Sequence, residues 1–206
     1  MNPLEQELHQ RNLPELMRQN SKEPVETPAQ WERRRQEIGE ILSREFAGFP
    51  TRLACRSQKE VVRIDRDSYG GKAETQYCEL KIRSDFSSAS VPFTLTVPKG
   101  SSPAPIFFYL AFTPEIADGI GEEVIDHGYA IANVCYQDIA ADYFDGHMTG
   151  LGRFCTRNPY DSWGKLRIWA WCMSRIADVL LDDPGIDQKK TAVMGHSRLG
   201  KAALLE

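Results

Sequence analysis

The chain has 206 residues, 41% of them hydrophobic and 26% charged, which is enough for one sizeable core in an ordinary globular composition. Its 25 basic and 29 acidic side chains leave a net charge of -4, which argues against a nucleic-acid partner or an anionic membrane surface. No apolar run approaches the roughly 18 residues of a spanning helix, and Met1-Asn-Pro-Leu-Glu-Gln-Glu-Leu-His9 has neither the basic start nor the apolar centre of a secretory leader. The expectation is a cytoplasmic chain. Its five cysteines, at 55, 78, 135, 155 and 172, are an odd number without a C-x-x-C, and read as reduced, mostly buried thiols.

Residues 1 to 26 are polar, carry Pro3, Pro14 and Pro24, and read as a loosely docked arm. Thr27-Pro-Ala-Gln30 has the form of a capping box with proline at the first helical position. It opens an amphipathic helix to about Phe46, with Trp31, Ile38, Ile41, Leu42 and Phe46 on one stripe, ended by Gly48 and Pro50. The domain expectation is therefore an arm and helix over 1–50 and a partial α/β domain over 51–206.

From Glu60 the period changes to two. Val62 and Ile64, then Cys78, Leu80 and Ile82, alternate with polar residues, and Gly70-Gly71 between them suggests a hairpin. Val91 to Val97 is a third alternating run, ended by Pro98 and Gly100. The front part reads as an antiparallel meander, polar on one side.

After Pro105 the apolar runs become continuous: Ile106–Ala111, Tyr129–Tyr136 and Thr191–Met194. Such runs suggest parallel strands covered on both faces. A short helix at about Gly121–His127 separates the first two, and a long one, from Ser162 or Trp163 to about Leu181, precedes the third. Leu166, Trp169, Ala170, Met173, Ile176, Ala177 and Leu180 fall on one face of the long helix, and Asp183-Pro-Gly185 stops it. Strand–helix–strand–helix–strand is the α/β pattern. Asp118-Gly-Ile-Gly121 has too few glycines for a dinucleotide loop, and no cofactor is expected.

Gln137 to Asp161 shows no periodicity and leaves the carboxyl end of a parallel strand, where α/β proteins place ligands. It holds Asp138, Asp142, Tyr143, Asp145, His147, Arg153 and Arg157. Asp142, Asp145 and His147 could imitate a metal site, but their spacing matches no ligand motif, so a solvated substrate-side loop is the better reading and no metal is expected.

Thr191-Ala-Val-Met-Gly-His-Ser-Arg-Leu-Gly-Lys201 reads as an apolar strand, a tight turn with serine at its tip, and a helix start. That is the layout of a nucleophile elbow, in which a strained backbone holds the serine clear of the sheet. Strand and helix nearly touch there, so Gly195 fits. The common G-x-S-x-G has its second glycine at the position of Leu199; here it falls at Gly200. Ser197 could also simply cap the helix, but its place between strand and helix favours the elbow. A serine nucleophile needs a base, normally a histidine oriented by a carboxylate. Of the four histidines, His9 is in the arm, His127 ends a helix, and His196 adjoins Ser197 and points elsewhere. None of the nine residues after Ser197 is histidine, so the base is either outside this chain or supplied by His147.

Ser162-Trp-Gly-Lys-Leu-Arg-Ile-Trp-Ala-Trp-Cys-Met-Ser-Arg-Ile-Ala-Asp178 and Gly195-His-Ser-Arg-Leu-Gly-Lys201 resemble the glucuronoyl esterase family of carbohydrate esterases and its acetylxylan-esterase-like bacterial relatives. The family pattern is a W-A-W-x-x-S-R-I-x-D helix followed by G-C-S-R-x-G-K. The resemblance implies an α/β-hydrolase-type sheet, with an antiparallel front meander and parallel strands flanked by helices, and a carbohydrate ester substrate. It further implies Ser197 as nucleophile, Arg198 in the oxyanion hole and Lys201 on the sugar acid's hydroxyls. Histidine stands at 196 where the family has cysteine, so acetyl esters compete with glucuronoyl esters as the expected substrate. The chain is expected to be the N-terminal portion of a longer hydrolase, truncated after the elbow and weak or inactive as encoded. The alternative is a non-catalytic fragment or interaction protein, with an open sheet edge through which it self-associates.

Overall fold

The computed structural model describes residues 2–11, 14–49, 53–100, 102–116, 119–143, 149–154 and 163–205. They form two compact units divided between Phe46 and Ala47.

The first unit holds two helices, α1 (Pro3–Gln10) and α2 (Pro28–Leu42). The sequence reading expected no element before Thr27. The overlooked signal is at the start of α1, where Asn2 Oδ1 accepts the Glu5 N–H and Glu5 Oε2 accepts the Asn2 N–H, each at 2.9 Å. In α2 the box forms as expected, the Gln30 N–H donating to Thr27 Oγ1 (3.3 Å) and the Thr27 N–H to Gln30 Oε1 (2.9 Å). Arg34 of α2 is 3% exposed and explains why residues 15–20 are ordered. It donates to the carbonyls of Glu15 and Leu16, to Asn20 Oδ1 and to the Glu37 carboxylate, at 3.0–3.1 Å. A buried guanidinium must be satisfied in this way, so the segment wraps around it. After α2 the chain makes one π turn, Ser43–Ala47.

The second unit is built on a six-stranded sheet: β1 (Arg56–Asp67), β2 (Ala73–Arg83), β3 (Ser88–Pro98), β4 (Ala104–Ala111), β5 (Ala130–Cys135) and β6 (Ile186–Gly195). The strand order is β1-β2-β3-β5-β4-β6. β1, β2 and β3 are an antiparallel meander, and β4 pairs in parallel with both β5 and β6. The β1–β2 connection is a short turn, α3 (Ser68–Gly71), whose Tyr69 and Gly70 have positive φ. α4 (Ile120–Asp126) connects β4 to β5. The one-turn α5 (Tyr136–Ile139), a 3-10 turn (Gly150–Phe154) and α6 (Lys165–Leu180) connect β5 to β6, and α7 (Arg198–Ala203) follows it.

Alternation decides the faces. Leu80, Val91, Phe93, Leu95, Ile106, Phe108 and Leu110 pack beneath α6 and α7 in the main core. The opposite face carries a smaller cluster in which Ile131, Phe107 and Tyr109 meet Ile125 of α4. The expectation that all three parallel strands are covered on both faces needs correction. β5 is buried throughout, β4 alternates between buried and half-buried, and β6 is largely exposed because it is the edge strand among the described residues. On α6 the expected face is buried or half-buried, with Trp169 a core residue whose Nε1–H donates to Ala140 O (3.0 Å). The helix buries more than that face, since Trp171 also packs against Trp163 and Phe154.

Gly121, within the glycine pair rejected as a dinucleotide loop, has a packing role: a Cβ there would run into the Tyr69 ring. Four described cysteines are free thiols, three of them buried. No helix among the described residues is long and apolar enough to cross a membrane.

Candidate active site

The parallel registers bring Ala111, Cys135 and Gly195 to one end of the sheet, through the pairs Ala111↔Cys135 and Leu110↔Gly195. Ser197 stands at this end, between β6 and α7. Its φ of 55° and ψ of -122° lie where residues with a Cβ are rarely found. The turn is fastened on both sides, by the Leu199 N–H donating to His196 O (3.0 Å) and the Lys201 N–H to Ser197 O (3.1 Å). The Ser197 side chain is exposed and makes no capping hydrogen bond to α7, so the helix-cap reading fails. The displaced second glycine also has a reason. A Cβ at Gly195 would lie 2.5 Å from Leu199 O and 2.9 Å from Gly200 N, and one at Gly200 would lie 3.0 Å from Gly195 O. The two glycines are the crossing point of strand and helix, while Leu199 is fully buried in the core.

Arg198, at the start of α7, is anchored by its neighbours. Its Nη1 is 2.7 Å from Asp142 Oδ2, and its Nη2 donates to the Tyr136 hydroxyl at 3.3 Å. Its guanidinium carbon lies 5.4 Å from the Phe112 ring centroid and 5.3 Å from that of Tyr136. These rings meet edge to face at 5.5 Å, and Tyr136 rests in turn on Trp169 at 5.1 Å. A planar cation between a carboxylate, a hydroxyl and two ring faces is held in orientation rather than merely attracted. Asp142 also lies 3.5 Å from Lys165 Nζ, at the start of α6. The carboxylate considered as a metal mimic is thus a bridge between two cations. Asp145 and His147 lie outside the described residues, and no cluster of three metal-binding side chains occurs among those described.

Sequence reasoning missed Tyr136, Phe112 and the role of Asp142. These come from the ends of β5 and β4 and the loop beyond, and only the register places them against Arg198. Lys201 is exposed, one helical turn beyond Ser197. Two described histidine side chains remain as base candidates, and neither suits Ser197. The His196 ring packs on Phe112 at 6.5 Å, and His127 ends α4 at the opposite end of the sheet, its Nδ1 2.8 Å from Glu123 O.

A sequence model of the family described as glucuronyl esterase, fungi, matches residues 80–206. The chain is 35% identical over 88 residues to a carbohydrate esterase from an unknown prokaryotic organism, covering 40% of this chain and 20% of that one. It is 29% identical to a 4-O-methyl-glucuronoyl methylesterase of Thermothelomyces thermophilus, over 94% of this chain and 45% of the relative. The structure superposes on the glucuronoyl esterase from Solibacter usitatus with a TM-score of 0.80 at 26% identity, covering 94% of this chain and 59% of that one. The chain thus spans less than half the length of these two curated relatives.

Proposed function

The chain belongs to the glucuronyl esterase family, and from that premise we propose that it is the nucleophile-bearing part of a serine carboxylic-ester hydrolase acting on carbohydrate-linked esters. The observation that carries this reading is the backbone of Ser197, strained at φ 55° on an exposed turn between strand and helix.

In the reaction Ser197 Oγ attacks the ester carbonyl carbon, and the carbonyl π pair moves to oxygen. The C–O bond to the alcohol then breaks, the alcohol leaves with a proton, and water hydrolyses the acyl-serine. Arg198 faces the developing oxyanion. Asp142, Tyr136 and Phe112 fix its guanidinium in advance, so little reorganisation is needed when charge appears; loss of such a donor costs about 10²–10³ in rate in comparable sites. Lys201 is assigned to the hydroxyls of the sugar acid. The proton acceptor for Ser197 is neither of the two histidines whose side chains are described.

The relatives named as 4-O-methyl-glucuronoyl methylesterases favour an alkyl ester of a uronic acid over an acetyl ester. The test offers the chain methyl 4-O-methylglucuronate and acetylated xylan and follows acid release by pH-stat, beside a Ser197→Ala variant. Turnover of the uronate ester that disappears in the variant supports the proposal. Equal and measurable turnover in both proteins would remove Ser197 from the chemistry, and serine-dependent cleavage of acetyl groups alone would move the substrate to acetylxylan.

A further inference from the structure

A second concave site lies on the face of the sheet that carries α4. The registers line up Tyr77, Thr94 and Asn133 across β2, β3 and β5. Above them a cleft of about 290 Å³ opens between these strands and the segment after β4, with Glu79, Glu115 and Asp138 among its lining residues.

Asn133 is the unusual member. It is 1% exposed, and its Nδ2 donates to Pro114 O at 2.7 Å. That bond fixes the orientation of the amide, because the carbonyl can only accept. Oδ1 is then left as a buried acceptor with no partner. Buried acceptors are nearly always satisfied, so an orphan lining a cleft points to a donor that the protein does not supply.

The surroundings define that donor. No lysine or arginine lines the cleft among the described residues. Lys81 reaches Glu79 only at 3.9 Å, and the Ser90 hydroxyl also donates to that carboxylate. The Asp138 carboxyl is pushed above its ordinary value by burial and then by the charge of Glu79. Tyr77 already carries a cation on its ring, with the Arg63 guanidinium 3.6 Å from the centroid. Pro92 and Pro114 supply apolar walls. Acceptors and negative charge between apolar walls match a positively charged donor on a small hydrocarbon body. The described residues offer no cluster suited to a metal ion.

We propose that this cleft binds a compact organic ammonium ion, its N–H groups donating to Asn133 Oδ1 and to the Asp138 and Glu79 carboxylates. The test titrates the full chain, at fixed ionic strength, with cyclohexylmethylammonium and with its neutral counterpart cyclohexylmethanol. The Asn133 side-chain amide, and in every variant the backbone amides of Tyr77 and Thr94, are followed by ¹⁵N NMR. The ammonium ion is expected to bind at least about tenfold more tightly than the alcohol, the scale of one hydrogen bond to a charged group. Asp138→Asn and Glu79→Gln should each weaken binding several-fold, and Asn133→Leu should abolish it. Equal affinity for the alcohol would reduce the site to an apolar cleft. Ammonium binding indifferent to all three variants would reduce it to diffuse counter-ion attraction. Should Asn133→Leu fail to fold, the exposed Asp138→Asn decides the question alone. No turnover is measured, so the outcome is independent of Ser197.

Discussion

Replacing Ser197 with glycine should stabilise the protein, although it removes the proposed nucleophile. At φ 55° and ψ -122° the Ser197 Cβ crowds its own backbone, and residues held in such regions carry about 1–3 kcal/mol of strain. Glycine relieves it. Against this, glycine has more freedom in the unfolded chain, which costs about 0.4–1 kcal/mol. The side chain is exposed and makes no capping bond, so its removal forfeits little packing and leaves no cavity. The two hydrogen bonds that pin the turn use only backbone atoms and persist. The net is a gain of about 1 kcal/mol, or roughly 2–4 °C in Tm for a chain of this size. Ser197→Ala is the necessary comparison, because alanine keeps the Cβ and therefore the strain. Thermal and urea unfolding, followed by circular dichroism, should rank glycine above both serine and alanine. If the glycine variant melts at or below the alanine variant, the turn is not strained and the structural argument for an activated serine fails. A protein that holds a less stable residue at one exposed position is keeping it for reasons other than folding.

Gly195→Ala should cost about 2–3 kcal/mol, because the new Cβ meets backbone rather than a movable side chain, whereas Gly200→Ala should cost less than about 1 kcal/mol, its 3.0 Å contact being partly offset by alanine's helix preference; urea midpoints compare the two. Asp142→Asn removes the charge that holds Arg198 at 2.7 Å, so ester hydrolysis should fall about tenfold through kcat with KM little changed, and Asp142→Glu should restore part of it. Burial would raise the Asp183 carboxyl, but the Gly185 N–H and Lys59 outweigh it and hold it below its ordinary value. Its contribution to stability is therefore present above the ordinary carboxylate pKa and is lost as pH falls through the lower folded value. Asp183→Asn should flatten the loss of stability that sets in as pH falls below the ordinary carboxylate range, read from urea unfolding at a series of acid pH values. Burial pushes the Cys78 thiol up to about 11, so iodoacetamide at pH 8 should modify half-exposed Cys55 before Cys78, as peptide mass mapping would reveal.

What the sequence made legible follows the range of the interactions. The capping box at Thr27, the alternation of β2 and β3, the turn at Gly70-Gly71 and the stripe on α6 all rest on neighbours within a few residues. The ordering of residues 15–20 was hidden because it depends on Arg34 reaching back as many as 19 residues to bury its charge. The exposure of β6 was hidden because its apolar run resembles that of β5. Only strand order, which sets β5 between β3 and β4 and leaves β6 at the side, tells them apart. The setting of Arg198 was hidden for the same reason, since its ring and carboxylate partners arrive from strand ends and a loop 56 or more positions earlier.

The elbow shows how a departure from a motif can be read as geometry. A pattern match treats leucine at 199 as a defect, because the second glycine is expected there. The physical requirement is different: two backbones must pass within contact distance, and whichever residues form the crossing must lack a Cβ. In this chain the crossing is between Gly195 and Gly200, separated by 3.0 Å from a Cβ at 200 to the carbonyl oxygen of 195. Position 199 points into the core, where a fully buried leucine adds to the packing that holds α7 against β6. Moving the glycine one place along the helix keeps the crossing, anchors the helix through its apolar side chain, and leaves positions 197, 198 and 201 exposed at the sheet end. The requirement conserved by the fold is therefore a close approach of strand to helix, and the spacing of glycines follows from which residue of the first turn makes it.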